Sequence, residues 1–218
     1  MQKKYIIIVL AMLGFALEGS AKSINTYGLN IGAGQTREFY IYMNTTRNNL
    51  VSFQIDLKVP QGITVNMDRC GLPSRVIDKD QSLFVGQIAD NLYRLVSTSY
   101  NLTPFTKDDA PLVRVSITAD ETFKGGSVDL VDMFTINSEG TKVIWISDSF
   151  DVTKVDVVLG DVNSDGVVSV TDIGDLVRHI LGEDDMLYNS SYDIDKNNIV
   201  DVVDVTLLSD LLMGKVTQ

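Results

Sequence analysis

The chain has 218 residues, 44% of them hydrophobic, and a formal net charge of −11. That length holds a medium domain and a small one, and an acidic chain with no basic stripe is not built to hold nucleic acid. Its single cysteine, Cys70, excludes an intrachain disulfide framework and reads as a buried, inert thiol.

In chain order, Lys3 and Lys4 precede an apolar run from Tyr5 to Leu17, and Gly19-Ser20-Ala21 follows with small residues. This three-part pattern predicts a secretory signal peptide over 1–21 and a mature chain starting at Lys22, secreted or at the cell surface. The apolar run is shorter than the ~20 residues of a membrane span. No second run follows, so no span is expected in the mature chain.

Residues 22–157 read as one all-β domain. In Val51-Ser-Phe-Gln-Ile-Asp-Leu-Lys-Val59, apolar and polar residues alternate strictly, which predicts a strand with one buried face. Pro60-Gln61-Gly62 breaks it, and Ile63–Val65 starts another. Further strands are predicted at Arg37–Met43, Leu92–Thr98, Leu112–Ala119, Ser127–Ile136 and Lys142–Ile146. A connecting stretch is expected around Ser149–Val158. Many short strands between turn-rich segments argue for a jelly roll or β-sandwich. Tyr40, Tyr42, Tyr93, Tyr100 and Trp145 are candidate sugar-stacking faces, although core and rim packing accounts for most aromatics.

The segments Gly-Ala-Gly-Gln-Thr (32–36), Val51–Val65, Tyr93–Ser97, Pro104-Phe105 and Leu112–Ile117 resemble those of a cohesin or cohesin-like carbohydrate-binding sandwich. The resemblance covers most of 24–150 and rests on core pattern, so it implies a fold more than a function.

Two acidic segments near the C-terminus carry the chemistry. Asp161–Asp172 and Asp193–Asp204 start 32 residues apart, and each places oxygen-bearing side chains at positions 1, 3, 5, 9 and 12 of a twelve-residue loop. That is the ligand spacing of a calcium loop, in which alternate residues turn oxygens inward to a hard cation. The predicted ligands of the first loop are Asp161, Asn163, Asp165, Val167 (backbone carbonyl), Ser169 and Asp172. Those of the second are Asp193, Asp195, Asn197, Ile199 (backbone carbonyl), Asp201 and Asp204. Position 6 requires a left-handed backbone and holds Gly166 and Asn198. Val168 and Val200 are expected to pair the loops through a short strand contact. Each loop is followed by an apolar-periodic stretch ending in glycine, Gly182 and Gly214. A segment this small cannot build a large core, so metal binding would be part of its folding free energy.

Asp rather than Glu at position 12, the stretch Gly160–Ile173, and one helix after each loop resemble the dockerin module over 159–214. The resemblance implies a small all-α C-terminal domain, 158–218, with two EF-hand-like loops and two Ca2+ ions. It also implies a cohesin-type protein partner and a link to extracellular polysaccharide degradation. Such two-domain pairings, with a type I-like dockerin, are familiar in secreted proteins of Bacteroidetes. The positions that meet a partner in dockerins correspond to Val170 and Thr171 in the first repeat and Val202 and Val203 in the second. Val170-Thr171 and Val202-Val203 stand where a Ser-Thr pair is usual, so the contact should be more apolar. Arg178 and its counterpart Asp210 should make the two faces differ in charge, with the face centred on Val202 and Val203 preferred.

No Ser–His or Cys–His constellation is legible, and the one histidine, His179, falls on a predicted helix. No catalytic residue and no cofactor other than calcium is expected. The chain therefore reads as a non-catalytic adaptor. The alternative is a glycan-binding sandwich whose calcium module is only structural. Polysaccharide is the second candidate ligand, and self-association through cohesin-like and dockerin-like parts is conceivable but less favoured than a different protein partner.

Overall fold

The computed structural model describes residues 28–44, 49–73, 80–105, 109–163, 165–183 and 189–215; the signal peptide expected over 1–21 lies outside them. Among the described residues no helix is long and apolar enough to cross a membrane.

Among the described residues ten strands form two sheets: β1 (Leu29–Ile31), β2 (Thr36–Asn44), β3 (Leu50–Lys58), β4 (Ile63–Val65), β5 (Gln81–Ala89), β6 (Leu92–Ser99), β7 (Asp109–Ala119), β8 (Gly126–Asn137), β9 (Lys142–Ile144) and β10 (Asp148–Lys154). The larger sheet runs β1-β10-β8-β3-β6-β5, with β9 pairing β8, and the smaller runs β2-β7-β4. Among the described strands only the β1–β10 pair is parallel.

The alternation of β3 decides its faces. Phe53, Ile55 and Leu57 turn inward, and with Leu95 of β6, Val113, Val115 and Ile117 of β7, and Phe39 and Ile41 of β2 they form one buried cluster between the sheets. Burying each large side chain of this kind is worth about 1.5–3 kcal/mol relative to exposure. The inward set of β8 is Val128, Leu130 and Met133, which breaks period two between 130 and 133. A register shift against β3 and a positive φ of 44° at Asp132 mark the bulge that absorbs the extra residue. The bulge aims Asp132 outward, where it accepts from Gln54 (2.9 Å) and from Arg94 (3.0 Å). Arg94 also grips Asp56 through Nε and Nη2, at 2.7 and 2.6 Å.

Three strands differ from the sequence reading. β10 occupies most of the stretch expected to connect the domains, and it pairs β8 with Phe150 and Val152 buried. Two apolar residues in seven are too few to declare a strand by pattern. β5 has apolar residues on both faces, leaving Phe84 and Ile88 exposed, so it shows no clean alternation. β1 is three residues long.

Of the candidate sugar-stacking aromatics, Tyr100 is 74% exposed. Tyr93 is buried, Trp145 packs on the core and donates Nε1 to Thr135 (3.0 Å), and Tyr40 and Tyr42 meet edge to face. Cys70 is half-buried, and burial pushes its thiol pKa up, as for an inert thiol.

After β10 the chain reaches two helices, α1 (Val170–Ile180) and α2 (Val202–Leu212). They pack on a second, small cluster of Val162, Leu176, Tyr192 and Leu208, joined by Val168 and Val200 at its margin. Val168 and Val200 do not form the expected strand contact; both side chains pack against this cluster and neither lies in a strand. Each helix ends in a glycine with positive φ, 70° at Gly182 and 67° at Gly214. The following N–H groups of Glu183 and Lys215 return to Arg178 and Asp210 carbonyls, closing the last turn.

Candidate functional site

The two acidic loops share one pattern of backbone N–H groups donating to side-chain oxygens. Asp172 Oδ1 accepts from the Val162 and Asn163 N–H groups and Asp172 Oδ2 from Ser169; Asp204 Oδ1 accepts from Ile194 and Asp195, and Oδ2 from Asp201. The first carboxylate of each loop, Asp161 or Asp193, accepts from N–H groups at positions 5 and 6. Asn163 and Asp195 accept from position 5, and Asp165 and Asn197 accept from position 7. Ser169 and Asp201 accept from Thr171 and Val203. The short Asp and Asn side chains make these local bonds easily.

Position 6 has the left-handed backbone expected, with φ of 90° at Gly166 and 69° at Asn198. Positions 9 and 12 have a second task not visible in the ligand spacing. Ser169 and Asp201 are the N-caps of α1 and α2, and Asp172 and Asp204 complete capping boxes at N3. Loop and helix start are therefore one unit, and a change at position 12 disturbs both.

The carboxylates of the second loop fit a calcium ion by a geometric test. Oxygens from Asp193, Asp195 and Asp204 lie within 4.8 Å of one another. Two oxygens bound to one calcium can stand no farther apart than about 5 Å, twice the usual bond length. Asp172 and Asp204 are fully buried, and a buried carboxylate among other carboxylates calls for a compensating cation. The donors are carboxylate, amide and hydroxyl oxygens, with the position 7 carbonyls to be added, which suits a hard cation. The loops differ in charge: Asp161, Asp165 and Asp172 in the first, Asp193, Asp195, Asp201 and Asp204 in the second. The apolar side chains at position 7, Val167 and Ile199, are exposed.

The expected partner residues lie at the starts of the two helices and along them. Val170 is 78% exposed, Val202 69% and Val203 46%, unusual for valine, and Thr171 is exposed beside them. Arg178 and Asp210 do not set the two faces apart as simply as expected. Arg178 pairs with Glu183 at 2.6 Å and Asp175 at 3.7 Å, and Asp210 pairs with Lys215 at 3.0 Å, so each charge is balanced locally. His179 is half-buried, with its ring 4.5 Å from that of Tyr192, and burial pushes its pKa down. It packs rather than lining a reactive site.

The sequence reading missed the segment between the repeats. Asn189 is almost fully buried, caps a short 3-10 turn over Ser190–Tyr192, and donates Nδ2 to the Val162 carbonyl inside the first loop. An Asn followed by Ser-Ser was the available signal, a common capping sequence that carries no metal spacing.

Residues 159–213 match the family model described as the Dockerin type I domain. Comparison with curated proteins finds no match. Among solved structures, the chain is similar to the sixth cohesin of scaffoldin B from Acetivibrio cellulolyticus, in complex with a mutant Cel5 dockerin. The identity is 9% and the TM-score 0.52, over 62% of this chain and 100% of that one. It is also similar to CaCohA2 from Clostridium acetobutylicum, with 14% identity and a TM-score of 0.50 over 65% and 92% of the two chains. At such identities the likeness establishes fold. The chain thus joins a cohesin-like β-sandwich to a dockerin type I region, a type of module that generally binds calcium and serves protein–protein assembly.

Proposed function

We propose that this protein is a secreted, non-catalytic adaptor whose C-terminal module docks on a cohesin-type domain of another protein in a calcium-dependent way. The observation that carries the reading is the duplicated loop network, which ends in both repeats at exposed valines on a helix start. Two calcium ions would be held, one by Asp161, Asn163, Asp165, Val167, Ser169 and Asp172, the other by Asp193, Asp195, Asn197, Ile199, Asp201 and Asp204. Bound calcium supplies charge neutralisation and order; the residues themselves fix the loop and start the helix. The exposed pairs Val170-Thr171 and Val202-Val203 would then meet an apolar patch on the partner, with Arg178 and Asp210 at the rim.

The signal-peptide pattern over 1–21 supports a location outside the cell, and the resemblance to secreted Bacteroidetes pairings supports a role in polysaccharide degradation. The test is capture of cohesin-type domains by the full mature chain, with calcium and with chelator. Calcium-dependent capture that Val203→Asp abolishes supports the adaptor. Retention on insoluble polysaccharide without any protein capture would favour the glycan binder. Calcium-dependent growth in mass of the chain alone, by light scattering, would favour self-association.

A further inference from the structure

The C-terminal module is attached to the sandwich at two places. The first is the chain itself: the Val155 N–H donates to the Ile31 carbonyl of β1 at 3.2 Å, and the first loop opens soon after, at Asp161. The second is distant in sequence. Strand β2 is an edge of the smaller sheet, and its start meets the short turn over Ser190–Tyr192. The Thr36 N–H donates to Ser190 Oγ at 2.9 Å, Gln35 Nε2 donates to Ser191 Oγ, and Arg37 forms an isolated antiparallel bridge with Asn189. A cleft of about 730 Å³ beside this contact is lined by Gln35 and Arg69 of the sandwich, Val157 and Leu159 of the connection, and Asp193 and Lys196 of the second loop. The apolar clusters of the two parts are separate. The contact is therefore polar, and it holds only while its few acceptors are kept in place.

Both acidic loops hold those acceptors. Asn189 is 1% exposed; its Nδ2 donates to the Val162 carbonyl, and its Oδ1 accepts from the Ser191 N–H at 3.0 Å. The Val162 carbonyl shares a peptide unit with the Asn163 N–H, which donates to Asp172 Oδ1 at 3.2 Å. One peptide thus joins the closing carboxylate of the first loop to Asn189, and Asn189 orients Ser191. From the other side, the N–H of Asp193, the first residue of the second loop, donates to the Ser190 carbonyl. Tyr192 between them is buried in the module's small cluster. Ordering either loop therefore orders the hydroxyls that β2 meets.

We propose that Asn189–Ser191 is an interaction surface for the β2 edge of the chain's own sandwich, presented when calcium fills the loops, so that calcium locks the two parts into one body. The inference rests on the calcium-loop reading and goes beyond it. Without the ions, repulsion among the carboxylates loosens the loops. The Val162 carbonyl then no longer fixes Asn189, and Ser190 and Ser191 leave their positions. The module hangs by the connection alone, and the Thr36 N–H on the sheet edge turns to water. With the ions, Ser190 and Ser191 meet Thr36 and Gln35. Linkage makes the effect mutual: a docked module binds calcium more tightly than an undocked one. Val170 and Val202 stay 78% and 69% exposed in the docked form, so locking leaves the partner positions open and fixes the direction in which they are offered.

The test reads a sandwich residue while calcium is added to the full chain. Amide hydrogen exchange at Thr36 should slow by about fivefold or more, the lower end of ordinary site-to-site coupling. Exchange at Ile55, on the central strand β3, should not respond. Small-angle scattering should show contraction with calcium and expansion with chelator. Gln35→Met removes a donor on the sandwich that belongs to neither loop. It should weaken calcium binding by about the same factor and blunt the Thr36 response. Ser190→Ala combined with Ser191→Ala should do the same from the module side. Thr36 exchange that ignores calcium, in a chain that calorimetry shows to bind it, overturns this inference and leaves the calcium reading standing. Unchanged calcium affinity in both variants also overturns it. A chain that binds no calcium removes both the inference and the reading beneath it.

Discussion

The buried apolar cluster of the sandwich draws on both sheets from Ile31 to Val152, whereas that of the C-terminal module is Val162, Leu176, Tyr192 and Leu208 with a partly buried margin. The sandwich needs nothing but water to drive its folding. The module instead spends many of its short side chains on holding backbone N–H groups with carboxylates, an arrangement that concentrates negative charge. The difference teaches where each part is vulnerable: one to loss of volume, the other to loss of a cation.

Chelation is expected to have the largest effect and to split the molecule. Removing calcium should strongly reduce the helical signal of α1 and α2 while leaving the β-sheet signal intact, because repulsion among loop carboxylates then opposes folding of a very small core. Far-ultraviolet circular dichroism of the full chain, with and without chelator, measures this. Joint loss of both signals would mean that the sandwich depends on the module, and the comparison would fail.

The reverse experiment is a cavity in the sandwich. Phe53→Ala removes a fully buried ring that also meets Phe105 edge to face, with centroids 6.2 Å apart. It should cost the sandwich about 3–5 kcal/mol and leave the calcium affinities of the module unmoved. Denaturant unfolding followed at Trp145, which packs on this core, reads the first quantity, and calorimetry reads the second.

The same contrast explains what could be read from residues alone. β3 and β7 announce themselves because polar residues alternate with a buried apolar set, Phe53, Ile55 and Leu57 in one and Val113, Val115 and Ile117 in the other. β5 and β10 do not, since one is apolar on both faces and the other has only Phe150 and Val152 to bury. The loop spacing was legible because a metal site demands particular atoms at particular intervals. The Arg37–Asn189 junction was not, because residues so far apart in sequence meet only through tertiary packing.

A smaller effect should come from position 12, where loop and helix cap coincide. Asp204→Ala leaves the N–H groups of Ile194, Asp195 and Asp201 without their acceptor. Loss of a buried partner costs roughly 1–3 kcal/mol, so the module should be weakened by at least this much even before calcium is considered. Asp204→Asn keeps one acceptor oxygen and should restore part of the chelated module's residual helix but little calcium affinity. If both variants lose helix and metal equally, the cap contributes nothing separate from the ligand.

The smallest effect concerns pH and also falls on the module alone. His179 lies against Tyr192 on the margin of the small core, and burial lowers its pKa in the folded state. Above about pH 6.5, the ordinary histidine value, folded and unfolded forms both carry a neutral ring and the group makes no difference. As pH falls below that value the unfolded chain takes up a proton first, so the folded module loses stability, and the loss levels off once the pH passes below the lowered folded value. The window just under pH 6.5 is where an ordinary imidazole changes charge. Thermal unfolding of the module at saturating calcium should therefore shift to lower temperature between pH 7 and pH 5.5, while that of the sandwich stays put. His179→Phe keeps an aromatic ring against Tyr192 but cannot take up a proton, and should flatten this slope. A slope that survives in His179→Phe would assign the pH dependence to the loop carboxylates instead, and would mean that the acidic network, not the small core, sets the module's response to acid.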